Sequence, residues 1–458
     1  MSLWTATEIA AATSGTVHGN FAVTGVAFDS REIGPGDLFI ALRGETTDGH
    51  RFLDRAFASG AAGAITSVET SHRHVRVTET TQALNDLGRA SRARSEGRIC
   101  GVTGSVGKTG TKEALWAALD RSARGKTHRS VKSYNNHTGV PLSLARMPRD
   151  ARYGVFEMGM NHKGELAALT RLVRPHVAIV TAIAPAHREF FASDEAIADA
   201  KGEIFQGLEP GGTAIVPFDS PHRDRLVAAA RPYAATVLTF GLGEGADIRG
   251  RDVVATANGG SLVTALLPGA ELTYTISQPG EHWVSNSLAV LGAVQALGGD
   301  LAIAGLALAD MAGLKGRGER HQVRLDGGTA LLIDESYNAN PSSMRATLKS
   351  LGATKVAGRR IAVLGAMREL GPESDAFHSG LAEPIQTACV EFAIVVGPEM
   401  APLVKALGQK VNVTHVPDAA AALEALAGAM APGDAILVKG SNSVGLSAVV
   451  EAVAGGMS

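Results

Sequence analysis

The chain is poor in the residues that mark several common protein classes. It has two cysteines, Cys100 and Cys389, too far apart to suggest a disulfide-dense scaffold or a CxxC zinc knuckle. We expect both to be buried cytosolic thiols. Aromatic residues make up only 5% of the sequence, and 43 basic against 45 acidic residues leave a net charge of −2. Without an overall positive field, nucleic acid is not an expected partner.

Long hydrophobic segments are also missing. The longest apolar tract, residues 288–314, is interrupted by Gly298, Gly299, Asp300 and Asp310, which predicts two packed helices rather than a membrane span. The N-terminus, MSLWTATEIAAATSG, lacks the basic region of a signal peptide. We therefore expect no membrane insertion and a cytoplasmic location.

Glycine is abundant, and apolar runs alternate regularly with helical patterns. There are 54 glycines in 458 residues, about 12% against a typical ~7%. From about residue 98 onward the apolar runs are RICGVTG, RYGVFEMG, HVAIVTAI, GTAIVPF, ALLIDES, RIAVLGAM, FAIVVG and AILVKGS. Such alternation predicts an α/β protein with parallel sheets covered on both faces.

The length predicts several domains, and we divide the chain into three. Residues 1–95 contain one compact strand, DLFIAL, and residues 96–314 open with a strand that enters a glycine loop. Residues 315–458 begin within the run GLKGRGERH and contain three strands that each end in glycine. This rhythm is typical of a doubly wound sheet, which binds ligands at the carboxyl ends of its strands.

The strongest local motif is RICGVTGSVGKTGTKE, residues 98–113. A strand enters a glycine-rich turn and leaves as a helix that begins with Lys108 and Thr109, which predicts a phosphate cradle. Lys108 would bridge the β- and γ-phosphates, and the Thr109 hydroxyl would ligate Mg²⁺. The spacing departs from GxxxxGK[ST] because residue 102 is valine. A plain glycine turn is the alternative.

Polar residues follow other predicted strands. Glu157 ends a strand, a suitable place for a metal ligand, and His187 follows the next strand, although a loop histidine without a ligand role is the alternative. Lys201 alone would be interpreted as a solvated helix lysine. The segment DESYNANP, residues 334–341, could bind a nucleotide or simply cap a helix that starts at its proline. Upstream, Arg317 and Arg320 could reach a phosphoryl group or remain solvated.

Together these segments resemble the Mur ligase superfamily, and within it the members that add D-alanyl-D-alanine. The likeness covers nearly the whole chain. It rests on strings in the family order: AFDSREIGPGDLFIAL, TTDGH, GVTGSVGKTGTKE, SYNNHTGVPLSL, VFEMGMNHKGEL, AHREFF, AKGEIF, GEHWVSNSLAV, GRGERH, DESYNANPSSM and KGSNSVGLS. The DNPR string of the diaminopimelate-adding relatives is absent.

The resemblance implies roles for residues of this sequence. The implied nucleotide-binding residues are Gly104, Ser105, Val106, Gly107, Lys108, Thr109, Gly110, Asn286, Asp334, Tyr337 and Asn338. The implied residues for the uridine-diphosphate substrate and its acceptor side are Asp29, Ser30, Arg31, Asn135, Asn136 and Thr138. The implied metal ligands are Thr109, Glu157, His187 and Lys201, with Lys201 as a carbamate. The implied catalytic residues are Lys108, Glu157, His187, Lys201 and Arg317. The chain departs from the family pattern at Pro185, Arg188 and Ala366.

The resemblance also implies an architecture and a reaction. The expected fold has a smaller α/β N-terminal domain, a central P-loop parallel-sheet ATPase domain and a Rossmann-like C-terminal domain. The expected enzyme is a monomer that uses ATP and Mg²⁺ to join UDP-N-acetylmuramoyl-tripeptide and D-Ala-D-Ala through an acyl phosphate, in peptidoglycan precursor synthesis.

Two alternatives remain open. One is another amide ligase of the same superfamily, either one that adds a single amino acid or one of the folylpolyglutamate type. The DSR and DGH strings of the first domain argue against it. The other is a nucleotide-dependent switch protein, which would share the cradle but would not need the first domain, Glu157, His187 or Lys201.

Overall fold

Three larger β-sheets flanked by helices organise the chain in this computed structural model, which describes residues 2–44, 47–185, 189–256 and 259–456. Each sheet is formed by a continuous stretch of the sequence. A fourth, two-stranded sheet accompanies the first of them.

The first large sheet has five strands. The elements of this region are β1 (Trp4–Thr5), α1 (Ala6–Thr13), β2 (Thr16–His18), β3 (Ala22–Val23), β4 (Gly25–Ala27), β5 (Asp37–Ile40), a 3-10 turn (Gly49–Phe52), α2 (Leu53–Ala58), β6 (Gly63–Thr66), β7 (His74–Arg76) and α3 (Thr80–Ala93). The strand order is β2-β7-β6-β5-β4, and only β2 runs antiparallel to its neighbour. Strands β1 and β3 form the separate antiparallel pair.

The central sheet has nine strands. Its elements are β8 (Arg98–Thr103), α4 (Lys108–Ser122), β9 (Thr127–Arg129), α5 (Gly139–Ala145), β10 (Tyr153–Glu157), α6 (Glu165–Val173), β11 (Val177–Val180), α7 (Asp194–Gly202), a 3-10 turn (Glu203–Gly207), β12 (Thr213–Pro217), α8 (Arg223–Ala230), β13 (Thr236–Gly241), β14 (Ile248–Ala255), β15 (Ser261–Leu267), β16 (Ala270–Ile276), α9 (Glu281–Ala296) and α10 (Leu301–Ala309). The strand order is β16-β15-β14-β13-β12-β11-β8-β10-β9.

The order of the central sheet determines where a ligand can bind. Strands β8 to β14 run parallel, as the apolar runs predict, whereas β15 and β16 extend the edge as antiparallel strands. Strand β8 lies between β10 and β11, so later strands of the chain are added on both sides of it. A crevice forms at such a switch point, at the carboxyl ends of the strands. The glycine loop of the predicted cradle lies at this point.

The third large sheet has six strands. Its elements are β17 (Glu319–Leu325), β18 (Gly328–Glu335), α11 (Pro341–Ala353), β19 (Arg360–Gly365), a 3-10 turn (Gly371–Glu373), α12 (Ser374–Ser379), α13 (Ala382–Thr387), β20 (Phe392–Val396), a 3-10 turn (Pro398–Met400), α14 (Ala401–Leu407), β21 (Asn412–Val416), α15 (Ala419–Ala429), β22 (Ala435–Lys439), a 3-10 turn (Asn442–Val444) and α16 (Ser447–Ala454). The order is β17-β18-β22-β19-β20-β21, and only the β17–β18 hairpin is antiparallel.

The two cysteines differ in environment. Cys100 lies in β8 within the central core, and burial raises the pKa of its thiol. Cys389 is exposed in the connection between α13 and β20, with a φ of 52°. The expectation that both thiols are buried is therefore wrong for Cys389, because this connection runs over the surface of the third sheet.

The apolar tract of residues 288–314 forms parts of two helices, α9 and α10, as predicted. Gly298 has a φ of 75° and ends the first of them. Within the described ranges, every helix is too short or too polar to cross a lipid bilayer.

Candidate active site

The loop between β8 and α4 is built so that only glycine fits at two of its positions. Gly104 has a φ of 151°, and a Cβ there would lie 1.9 Å from Oγ1 of Thr181. Gly107 has a φ of 83° and precedes the first turn of α4. The Ser105 amide donates to the carbonyl of Ala182 at 2.8 Å, so the loop is fastened to the segment after β11. The backbone amides at this helix start therefore form a preorganised site for anions.

Lys108 is the first residue of α4 and folds back over the loop. Its ammonium donates to the carbonyl of Gly104 at 2.7 Å. Burial lowers the pKa of Lys108, and the nearby Glu157 carboxylate opposes that shift. The lysine thus begins α4 with its ammonium placed over the glycine loop.

Two predicted metal ligands are in direct contact. Glu157 ends β10 and is only 1% exposed. Its Oε2 accepts a hydrogen bond from the Thr109 hydroxyl at 2.8 Å, and its Oε1 accepts one from Nδ2 of Asn135 at 2.8 Å. The carboxylate is therefore held in one orientation before any ligand binds.

Lys201, in the last turn of α7, is 1% exposed, which excludes its interpretation as a solvated lysine. Burial and the neighbouring Lys108 ammonium lower the pKa of Lys201 well below its usual value. Among the described residues, no carboxylate pairs with this amine. His187, the remaining predicted metal ligand, lies outside the described residues.

The third sheet contributes a turn of residues 314–318 that carries Arg317. The Asp334 carboxylate accepts hydrogen bonds from the Gly316 amide at 2.7 Å and from the Ser336 amide at 3.0 Å, so it fixes this turn to β18. The Arg317 guanidinium lies over the ring of Tyr337, 4.3 Å from the ring centre. Arg317 thus faces the central sheet from a turn held by a buried carboxylate.

Other predicted nucleotide-binding residues lie on both sides of this junction. Asn286 of α9 adjoins the loop, since a Cβ on Gly107 would lie 2.9 Å from its Nδ2. Next to it, His282 lines a cavity together with Arg320. Burial, aided by the Lys439 ammonium, lowers the pKa of His282 to about 4, so this imidazole is neutral at pH 7.

Two further positions of that set, Gly110 and Asn338, differ in exposure. Gly110 lies under the indole of Trp283, where a Cβ would approach the ring to 2.8 Å. Asn338 is exposed, and its carbonyl accepts a hydrogen bond from the buried Lys439 ammonium at 2.9 Å. Lys439 thus holds the backbone of the DESYNANP segment in place.

The predicted substrate residues form two neighbouring loops. In the first, the Asp29 carboxylate pairs with the Arg31 guanidinium, which holds the pKa of Asp29 at about 2, and Ser30 is buried. In the second, Oδ1 of Asn136 accepts hydrogen bonds from the hydroxyl of Thr138 at 3.1 Å and from the first amide of α5 at 2.9 Å. A bond between Glu32 and Tyr134 joins the two loops.

Two further groups of histidine and carboxylate side chains lie within metal-ligand distance of one another. One is Glu319, His321 and Asp334, in which the Asp334 oxygens already accept backbone hydrogen bonds. The other includes His18 and His74, whose rings stack with an interplanar angle of 2°. Lone pairs in parallel planes do not converge on one ion, so this geometry does not form a metal centre.

Comparison with known proteins decides the family. Three family models match in chain order: "Mur ligase family, catalytic domain" at residues 22–93, "Mur ligase middle domain" at 102–294 and "Mur ligase, glutamate ligase domain" at 316–442. The UDP-N-acetylmuramoyl-tripeptide–D-alanyl-D-alanine ligase of Bacillus subtilis (strain 168) is 32% identical over 440 residues, 94% of this chain and 93% of that protein. The chain belongs to the Mur ligase family.

Solved Mur ligases share the architecture. A crystal structure of MurF from Acinetobacter baumannii matches with a TM-score of 0.85 and 28% identity over 99% of both chains. A MurF ligase from Thermotoga maritima in complex with ADP matches with a TM-score of 0.76 and 29% identity over 94% of this chain and 96% of that one. The three-domain Mur ligase architecture expected from the sequence is confirmed.

The sequence reasoning missed some residues at the site of this Mur ligase. Lys112 is fully buried one helical turn after Lys108, and its Nζ lies 3.9 Å from Oε2 of Glu157. Glu32 follows the predicted substrate residues and contacts the strand-to-helix connection of the central sheet. A signal for Lys112 was present, because residues four apart share one face of a helix. No comparable signal in the sequence pointed to Glu32.

Proposed function

We propose that the chain joins D-alanyl-D-alanine to a UDP-N-acetylmuramoyl-tripeptide in peptidoglycan precursor synthesis, at the expense of ATP. The observation that carries this proposal is the match to the B. subtilis ligase over 94% of the chain. The phosphate-binding geometry of the loop after β8, and the ADP bound by the T. maritima structure it resembles, support ATP as the nucleotide.

The nucleotide would lie between the central and third sheets. The loop of residues 104–107 and the start of α4 would bind its phosphates, and the Lys108 ammonium would neutralise charge on them. Asn286 would contact the adenine. From the third sheet, Arg317 and the segment beginning at Asp334 would complete the site. Tyr337 and Asn338 belong to that segment and would lie beside the nucleotide.

The residues around Glu157 fit a divalent metal. A hydroxyl and a carboxylate, from Thr109 and Glu157, are hydrogen-bonded to each other at 2.8 Å, and both are oxygen ligands of the kind that Mg²⁺ prefers. Lys201 fits this set only as a carbamate, since its ammonium would repel a cation. We place His187 in the set on the family pattern alone. Bound Mg²⁺ would offset the negative charge of the phosphate oxygens.

Carbamate formation is consistent with the surroundings of Lys201. The neutral amine adds to the carbon of CO₂ and releases a proton, which leaves one negative charge and two oxygen atoms on the side chain. Burial favours the neutral amine of Lys201 before the addition.

The reaction needs no nucleophile from the protein. The terminal carboxylate of the tripeptide attacks the γ-phosphorus, and ADP leaves with the electrons of the broken bond. The amine of the dipeptide then attacks the acyl phosphate, phosphate leaves and the amine loses a proton. Lys108 and Arg317 would bind the phosphoryl group that transfers, and closure of the domains would exclude water from the acyl phosphate.

The division into domains would assign one substrate to each. Residues 1–95 would bind the UDP-sugar through Asp29, Ser30 and Arg31, with Asn135, Asn136 and Thr138 on the acceptor side. Residues 96–314 would bind ATP, and residues 315–458 the incoming dipeptide. We propose that the enzyme acts as a monomer.

The test is an assay of ADP release with a panel of acceptors and amines. We expect release only when UDP-N-acetylmuramoyl-tripeptide and D-Ala-D-Ala are both present. Release with a single amino acid would indicate another ligase of the superfamily, and release without any acceptor would indicate a nucleotide switch. Either result would contradict the proposal.

A further inference from the structure

One short segment, residues 130–135 (the strap), contacts residues from all three parts of the chain. It follows β9 and precedes the predicted substrate residue Asn136. Its Ser133 hydroxyl accepts from the Arg317 guanidinium at 3.4 Å. Its Tyr134 hydroxyl donates to Glu32 at 2.7 Å. The strap therefore lies where the three predicted domains meet.

The first and last residues of the strap hold Glu157. The Glu157 amide donates to the Ser130 hydroxyl at 3.1 Å, and the Glu157 carboxylate accepts from Asn135 at 2.8 Å. The carbonyl of Asn135 in turn accepts from the amide of Gly159 at 2.8 Å. Both the backbone and the side chain of Glu157 thus depend on the conformation of the strap.

Between these two residues, the strap is attached to the first sheet. The Lys132 ammonium forms an ion pair with Glu32, and the Tyr134 hydroxyl binds the same carboxylate. Glu32 is the residue after Arg31, which we place beside the uridine-diphosphate substrate. A change at this substrate loop can therefore move the strap.

Lys112 fixes the first half of the strap. Its Nζ, fully buried, donates to the carbonyl of Ser130 at 3.1 Å and to the carbonyl of Lys132 at 2.7 Å. Lys132 has a φ of 52°, in the left-handed region that non-glycine residues seldom adopt. A conformation of this kind persists only where surrounding contacts hold it. The ammonium of Lys112 is such a contact.

We infer that Lys112 is a positioning residue that fixes the strap, so that Glu157 and the acceptor loop beside Glu32 keep one relative geometry. This inference rests on the proposed function, because it concerns the acceptor and metal sites of that reaction. Lys112 itself would touch neither substrate.

A simpler role for Lys112 would be to balance the charge of two carboxylates, Glu113 at 2.9 Å and Glu157 at 3.9 Å. The two roles predict opposite effects of Lys112→Met, which keeps most of the length of the side chain and removes its charge. If charge balance alone mattered, the enzyme would need less Mg²⁺, because a competing cation has gone. If Lys112 positions the strap, the enzyme would need more Mg²⁺, because Glu157 is no longer held.

The experiment compares wild type, Lys112→Met, Glu32→Gln, their double variant and the control Thr111→Val. Thr111 is the neighbouring buried residue, and its hydroxyl has no hydrogen-bond partner in the described structure. The measurements are kcat, acceptor KM, Mg²⁺ requirement, and hydrogen exchange of amides 131–135 without substrates.

For Lys112→Met we expect kcat to fall roughly tenfold or more and the Mg²⁺ requirement to rise several-fold, as for other losses of positioning. Exchange of the strap amides should become faster, and Thr111→Val should match wild type. Glu32→Gln should raise acceptor KM and loosen the strap. In the double variant the effects on activity should not add, because both act on one segment.

Strap exchange in Lys112→Met as slow as in wild type, a lower Mg²⁺ requirement in Lys112→Met, or additive effects in the double variant would each overturn the inference. If Lys112→Met does not fold, Glu32→Gln alone decides: unchanged strap exchange and acceptor KM would overturn it. Hydrogen exchange needs no substrate. A wild type without ligase activity would therefore count against the proposed function, and unchanged exchange against the role of Lys112.

Discussion

Replacing Asp334 by asparagine should loosen the turn that carries Arg317. Oδ2 of Asp334 accepts from the Gly316 amide at 2.7 Å, while Oδ1 accepts from the Ser336 amide at 3.0 Å and from its hydroxyl at 2.6 Å. An asparagine can keep the pair of bonds to Ser336 through its oxygen. Its NH₂ group then faces the Gly316 N–H, so one charge-assisted bond is lost and two donors oppose each other.

The size of this effect follows from the burial of the site, since Asp334 is 1% exposed. Losing a hydrogen bond to a buried charged group and leaving its donor unpaired costs about 2 to 4 kcal/mol. For a region of this size we expect the thermal midpoint to fall by roughly 6 to 15 °C. Because the turn positions Arg317, kcat should fall on the order of 10- to 100-fold.

The assay is calorimetry together with steady-state turnover, and Asp326→Asn is the matched control. Asp326 is exposed in the turn of the same β17–β18 hairpin, so that variant should resemble wild type. An unchanged midpoint together with an unchanged kcat in Asp334→Asn would contradict this role of Asp334. So would an unchanged midpoint with a lower kcat, because the turn would then not depend on the Asp334 carboxylate for its stability.

Three further predictions concern the central sheet. Lys108→Ala should lower turnover by about 100-fold or more with acceptor binding retained, as measured by kinetics and calorimetry; near-normal turnover would contradict the cradle. Lys201→Ala should be nearly inactive and should regain activity with added acetate, whereas rescue by a small amine would contradict a carbamate. Burial lowers the pKa of His128 to about 4. Between pH 6.5 and pH 4 the unfolded chain therefore binds the extra proton, and stability should fall as the pH falls through this range. The thermal midpoint of His128→Gln should depend less on pH there, and an equal dependence would contradict the assignment.

Much of the fold could be predicted because parallel strands buried on both faces are continuous apolar runs. All eight such runs quoted from the sequence contain a strand, and Pro341 begins α11 as its position predicted. The first sheet was predicted less well. Strands β4, β6 and β7 have three or four residues each, too few to show a period, so pairing with neighbouring strands defines them.

The sequence predicts the site well where its residues lie near one another in the chain. It does not predict the contacts between segments that are far apart. The loop before Lys108 could be predicted because strand, glycine turn and helix follow directly. The contacts of Glu32 with Tyr134, and of Arg317 with Ser133, join segments far apart in the chain. Local spacing holds no information about such pairs. The helical pattern around Lys201 alone predicts a solvated lysine. That prediction is wrong because the burial of Lys201 depends on how α7 packs.

The unequal exposure of the two thiols has a practical consequence for spectroscopy. Cys389 is exposed on the third sheet, whereas Cys100 is buried in the central core. A maleimide dye should therefore label the native wild-type protein at a single position, with no need to remove other cysteines. With a second dye introduced on the first sheet, energy transfer would report the distance between the outer parts of the molecule as nucleotide is added. Movement of the third sheet could then be timed without any substitution in the predicted catalytic residues.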